Sequence, residues 1–202
     1  MNLKTLSIAT SLLLGASLAG AQERTFKIGN AGGMKVSQVF TIDSDADFEN
    51  FTGQTHDVSG TISFDPSAKK GGGKIVVNLA ALDTGIAMRN EHFRGDMWLN
   101  TAKFPAAAFE ATGVRHLSGD KYEVTGKLTV HGVTRTIKTQ ATVRYLKESE
   151  ATRKAMFMGD VVQLKTQFPI KLADFGVMIP DMAKGKVAET VQARLTVFAY
   201  SG

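Results

Sequence analysis

The 202-residue sequence contains no cysteine, which excludes disulfide staples, thiolate metal ligands, a cysteine nucleophile and lipid attachment through an N-terminal cysteine. Proline is scarce, four in all, so no proline-rich linker divides the chain. Beyond residue 21 no apolar run approaches the roughly 20 residues that a membrane-spanning helix needs. Charge of one sign is not gathered in a block either. The 24 Lys and Arg against 19 Asp and Glu leave a formal charge of +5 spread along the chain, too dispersed to indicate a nucleic-acid partner. What the sequence does have is glycine, 20 residues, and 43% apolar side chains, the composition of a globular domain with many tight turns.

The N-terminus reads as an address. Lys4 supplies a positive charge, Leu6 to Leu18 a short apolar run, and Ala19-Gly20-Ala21 a small-x-small cleavage site. Residues 1–21 are therefore expected to be a cleaved signal peptide and residues 22–202 a single domain, periplasmic or secreted.

Within that domain a period of two dominates. Tyr122, Val124, Leu128 and Val130 alternate with Lys121, Glu123, Lys127 and Thr129, the pattern of a half-buried strand. After a His131-Gly132 turn, Ile137, Ala141, Val143 and Tyr145 complete a hairpin. The period returns in Val162, Leu164, Phe168, Ile170 and Leu172 and in Val187, Val191, Ala193, Leu195 and Val197. Shorter candidates are Phe26 and Ile28; Val36 to Ile42; Val58, Ile62 and Phe64; Ile75, Val77 and Leu79; and Ala107, Phe109 and Ala111. Turns are expected at Asp65-Pro66-Ser67 leading into a flexible tip at Gly71–Gly73, at Ser118-Gly119-Asp120 and at Ala183–Lys186; helix is expected only over Met88–Asn100 and Asp47–Phe51. The fold class is all-β. Eight or nine antiparallel strands with one dry face each predict an eight-stranded β-barrel, with one or two short helices over an open end, able to hold one small ligand.

Catalytic motifs are missing. There is no Gly-x-Ser-x-Gly elbow, Glu91-His92 has no second His four residues on, and Gly71-Gly72-Gly73-Lys74 is followed by Ile75 where a phosphate loop needs Ser or Thr. The four histidines, His56, His92, His116 and His131, form no short-range metal pair. No enzyme, metal or cofactor is predicted.

The run Asp83-Thr84-Gly85-Ile86-Ala87-Met88-Arg89-Asn90-Glu91-His92-Phe93, followed by Lys103-Phe104-Pro105 and Phe109-Glu110, resembles the YceI-like family of exported lipid-binding proteins. A second block, Gly126-Lys127-Leu128-Thr129-Val130-His131-Gly132-Val133-Thr134-Arg135, is similar to that family's other signature, and Phe168-Pro169-Ile170-Lys171-Leu172 extends the likeness. Where members often carry acidic residues this chain has Asn90 and Asn100, and Met97-Trp98-Leu99 replaces an acidic-aromatic-aromatic run. The resemblance implies a lipocalin-like barrel, without catalysis, whose lumen takes a polyisoprenoid, quinone or fatty amphiphile.

Arg89 and His92, at i and i+3, are placed to meet a polar head group at the barrel mouth. Alternatively, Arg89 pairs with Glu91 or Asp83 and His92 caps a carbonyl. Trp98 is a lid or a packing residue, and His131 reads as a turn lock. Phe93, Phe109, Leu128, Val130, Phe168 and Ile170 are the candidate lumen contacts. The expected function is transport, storage or sequestration of a lipid, compatible with transient membrane-surface contact and with a homodimer. Two other readings stay open: a stress-response protein acting on quinone or isoprenoid metabolism, and an interaction module whose barrel is filled by its own side chains.

Overall fold

The computed structural model describes residues 23–29 and 38–201. The proposed signal segment and Val36 lie outside the described residues. Ten strands form one antiparallel sheet: β1 (Arg24–Ile28), β2 (Val39–Asp45), β3 (Asn50–Thr55), β4 (Val58–Asp65), β5 (Lys70–Asn78), β6 (Ala106–Ser118), β7 (Lys121–Val130), β8 (Val133–Leu146), β9 (Val161–Lys171) and β10 (Thr190–Tyr200). The order β1-β4-β5-β6-β7-β8-β9-β10 closes through β1–β10 pairing. β10 pairs with β1 at Ala199 and Tyr200 and with β2 through Gln192–Thr196. β1 and β2 thus share one wall position, and β3 and β4 another, so ten segments make a closed eight-stranded barrel.

The alternation read from the sequence sets the inside of the wall. Tyr122, Val124, Leu128 and Val130 of β7 are buried, as are Val191, Ala193, Leu195, Val197 and Ala199 of β10. Val130 pairs directly with Val133, leaving His131 and Gly132 as a two-residue loop with φ of 50° and 74°, the type I′ geometry that matches strand twist. Ser118 pairs with Lys121 around Gly119, whose φ is 54°.

Three expectations are corrected. Gly71–Gly73 are not a loop tip but part of β5, paired with β4 through Gly71↔Phe64 and Gly73↔Ile62. The turn is residues 66–69, closed by Asp65 Oδ1 accepting from the N–H groups of Ser67 and Ala68 at 2.8 and 2.9 Å. Asn50 and Phe51 open β3 rather than ending a helix, because Asp45↔Asn50 pairing makes a hairpin of β2 and β3. The helix α1 spans only Ala87–Arg94: Gly95 ends it, its N–H bonding back to Glu91 O and His92 O. A five-residue helix α2 (Glu150–Lys154), opened by a Ser149–Thr152 capping box, was not legible in the pattern. The 172–189 connection lies at the same end of the barrel as the β2–β3 turn, where Phe48 N–H donates to Gly185 O at 2.8 Å.

Candidate functional site: an apolar lumen and its mouth

The inward faces of β2 and of β5 to β10 enclose a cavity of about 110 Å³. Its lining is apolar except for Thr139 and Thr166 and carries no titratable group. Leu128, Val130, Phe168, Ile170 and Phe109 all face it, five of the candidate lumen contacts. A second cavity of about 60 Å³ continues beneath, and Ile75, Phe109, Val124 and Leu164 line both. The lumen is therefore a tube with a waist at those four side chains.

Two glycine positions make the lower tube possible. Gly71 and Gly73 stand opposite the buried Phe64 and Ile62 and line the lower cavity with backbone alone. Neither position could take a side chain: a Cβ at Gly73 would lie 2.4 Å from Thr61 O, and one at Gly71 2.4 Å from Ser63 O. At the waist the Phe109 ring lies over Gly126 of the neighbouring strand, where a Cβ would come within 2.3 Å of it.

An open cleft of about 670 Å³ lies at the α1 end, lined by α1, the 95–98 segment, Glu49, Phe51 and residues of the 180–187 connection. Arg89, His92, Phe93 and Trp98 meet here. Phe93 is buried between Phe51 and Trp98, with ring centroids 5.4 and 5.7 Å away. Leu99, the residue after Trp98, faces the lumen, so this short segment separates cleft from tube. Arg89 forms an ion pair with Glu49 and stacks its guanidinium over the Phe51 ring at 4.6 Å. Its partner is neither Glu91 nor Asp83. Asn90 accepts from the Thr84 N–H and hydroxyl, both at 2.8 Å, and donates to Asp83 at 2.7 Å. The Asn90 amide, and after it the Gly85 N–H, hold the Asp83 carboxyl below the usual carboxylate range. The His92 side chain is exposed and has no hydrogen bond among the described residues.

A family model described as the YceI-like domain matches residues 32–199. This chain belongs to the YceI-like family. A UPF0312 protein of Azotobacter vinelandii is 32% identical over 184 residues, covering 83% of this chain and 85% of that protein. The crystal structure of Burkholderia cenocepacia BcnA aligns at a TM-score of 0.70 with 24% identity, over 82% of this chain and 98% of BcnA. A polyisoprenoid binding domain from Saccharophagus degradans, implicated in plant cell wall breakdown, aligns at 0.64 with 18% identity, over 90% of this chain and all 100% of that one. These two structures share the fold.

In this YceI-like chain the first motif block forms the loop and helix at the mouth, and the second forms the β7–β8 hairpin. His131 at the tip of that hairpin has its Nδ1 3.3 Å from Phe175 O and its ring edge-on to Phe104 at 4.8 Å, a lock between the hairpin and its neighbours. Sequence reasoning missed Leu164, Thr139, Thr166, Gly71 and Gly73 as lumen residues. Leu164 had the right period. The glycines carried a turn signal that pairing overrides.

Proposed function

We propose that this YceI-like protein is a non-catalytic carrier or store for a long-chain amphiphile, a polyisoprenoid or a lipid of similar shape, exported by residues 1–21 and working in the periplasm or outside the cell. The observation that carries this reading is the narrow two-part lumen, whose upper lining has no titratable group. Its polar atoms are threonine hydroxyls already hydrogen-bonded, Thr166 Oγ1 donating to Gln140 O at 2.8 Å. Such a tube has nothing to donate to or accept from a head group, while each buried methylene contributes about 0.8 kcal/mol. Ten methylenes give roughly 8 kcal/mol before the costs of association. The tail contacts Phe109, Leu128, Val130, Phe168 and Ile170; Phe93 and Trp98 close the upper end, with Arg89 and His92 on the cleft side. Phe48, Met88, Met97 and Met182, between 63% and 81% exposed, rim that end and support transient contact with a lipid surface during loading.

The test is native mass spectrometry of protein purified without detergent, followed by organic extraction. A stoichiometric long-chain lipid, recovered unchanged after incubation, is the expected result. Ala141→Phe, which projects a ring into the cavity, should abolish the adduct. A bare mass that stays bare after exposure to polyprenyl alcohols, quinones and fatty amphiphiles would overturn the reading in favour of an interaction module.

A further inference from the structure

The barrel wall is not zipped along its whole length. β9 pairs with β10 from Val161 to Lys171, and β7 pairs with β8 from Lys121 to Val130. β8 and β9, in contrast, pair only from Leu146↔Val161 to Ala141↔Thr166. Residues 133–140 of β8 and 167–171 of β9 form no ladder with each other.

The side chains explain where the ladder stops. The two-residue hairpin makes Val130 and Val133 an exchanging pair, so the backbone groups of odd β8 residues face β7 and those of even ones face β9. Continued in register, the next exchanging pairs would be Gln140 with Gln167 and Lys138 with Pro169. The Gln140 and Gln167 carbonyls instead accept hydroxyls: Thr166 Oγ1 reaches Gln140 O at 2.8 Å and Thr139 Oγ1 reaches Gln167 O at 3.1 Å. Pro169 has no N–H to give Lys138. The upper part of this seam is held by side chains, with the half-buried Ile137 and Phe168 packed against the core.

Arg135 lies on this stretch. It pairs with Leu128, whose side chain lines the lumen, so Arg135 occupies an inward-facing position. Yet it is exposed, on the part of β8 that has no ladder partner on β9. Among the described residues its guanidinium has no ion-pair or hydrogen-bond partner, unlike Arg89, Arg115, Arg144 and Arg194. A cation at the edge of an apolar tube, unneutralised, is what an anionic head group needs when its tail is already buried.

We propose that the β8–β9 seam is a lateral opening of the lumen and that Arg135 there binds an anionic head group, a carboxylate or a phosphate, of a lipid whose tail lies in the tube. This rests on the lumen reading above, and the test separates the two. Oleyl alcohol, oleic acid and oleyl phosphate, which share one tail, are titrated as monomers at pH 8 against a bound fluorescent fatty probe.

The expected result is that one or both anions bind the native protein about tenfold tighter than the alcohol, the size of one charge-assisted contact. Preference for the acid alone assigns a carboxylate, and for the phosphate alone a phosphate. Arg135→Gln should bring the anions to the level of the alcohol and leave the alcohol unchanged, while Arg135→Lys keeps most of the preference. No preference in the native protein, a preference that survives Arg135→Gln, or one removed by Arg89→Gln instead would overturn the subsite. A native protein that binds neither probe nor any of the three would overturn the lumen reading itself. Hydrogen exchange reads the seam directly: the amides of Thr136 and Lys138 should exchange fast in the free protein while those paired between Ala141 and Leu146 stay protected. Equal protection of both groups would show a closed wall.

Discussion

At the scale of single residues, one group of polar side chains ties an end of the barrel together. Asp160, at the α2 end, accepts from the Tyr145 hydroxyl at 2.6 Å and the Glu148 N–H at 2.7 Å and pairs with Arg24. These donors hold its carboxyl below the usual carboxylate range, the Tyr145 hydroxyl contributing most. A carboxylate depressed in the folded state contributes stability that is present above its unfolded value, near 4, and is lost as pH falls through the folded one. Asp160→Ala should therefore cost about 1 kcal/mol at pH 7, because it leaves the part-buried Tyr145 hydroxyl and Glu148 N–H without their acceptor. The difference from the native protein should shrink below about pH 4. Urea unfolding at pH 7 and pH 3.5 checks both, and a cost that does not change with pH would assign the loss to packing. Arg89 shows the limit of local reading: spacing offered Glu91 and Asp83, whereas the actual partner, Glu49, is brought in by the β2–β3 hairpin from outside any helical window.

At the scale of elements the strands were legible wherever one face is dry and the other wet, as in β7, β9 and β10. β5 was only half legible, since glycine reads alike in a turn and in a strand until its pairing is known. Gly71 and Gly73 tell the two apart only through Phe64 and Ile62 across the ladder. The seam needed register as well: Pro169 in an alternating run becomes meaningful once the β8–β9 register, continued beyond Ala141↔Thr166, sets it against Lys138. The waist makes an element-level prediction. Phe109, Ile75, Val124 and Leu164 divide the tube, so chain length should be set there. With straight-chain alcohols of increasing length, affinity for the native protein should rise per methylene and then level off; in Phe109→Ala the rise should continue to longer chains, at a stability cost of about 2–4 kcal/mol. A plateau at the same length in both would place the stop elsewhere.

At the scale of the whole molecule, the proposed loading is linked to folding. A cysteine-free barrel that keeps cavities of about 110 and 60 Å³ inside its core gives up the packing those spaces would otherwise supply. On the proposed function, a tail in the tube restores it. A ligand that binds the folded state alone stabilises it by RT ln(1 + [L]/Kd), about 2.7 kcal/mol at a hundredfold excess over Kd. For a domain of this size that corresponds to a rise in Tm of roughly 5–10 °C. Delipidated protein should therefore melt lower than protein as purified and regain the difference when oleyl alcohol is added. In Ala141→Phe, where the ring occupies the upper cavity, the added alcohol should shift the melting point by less than about 1 °C. Calorimetry on these samples, with Ala141→Phe measured without and with alcohol, decides the matter: a native protein whose Tm ignores both delipidation and alcohol has a lumen that does not bind, and an equal shift in Ala141→Phe would put the alcohol on the surface rather than in the tube.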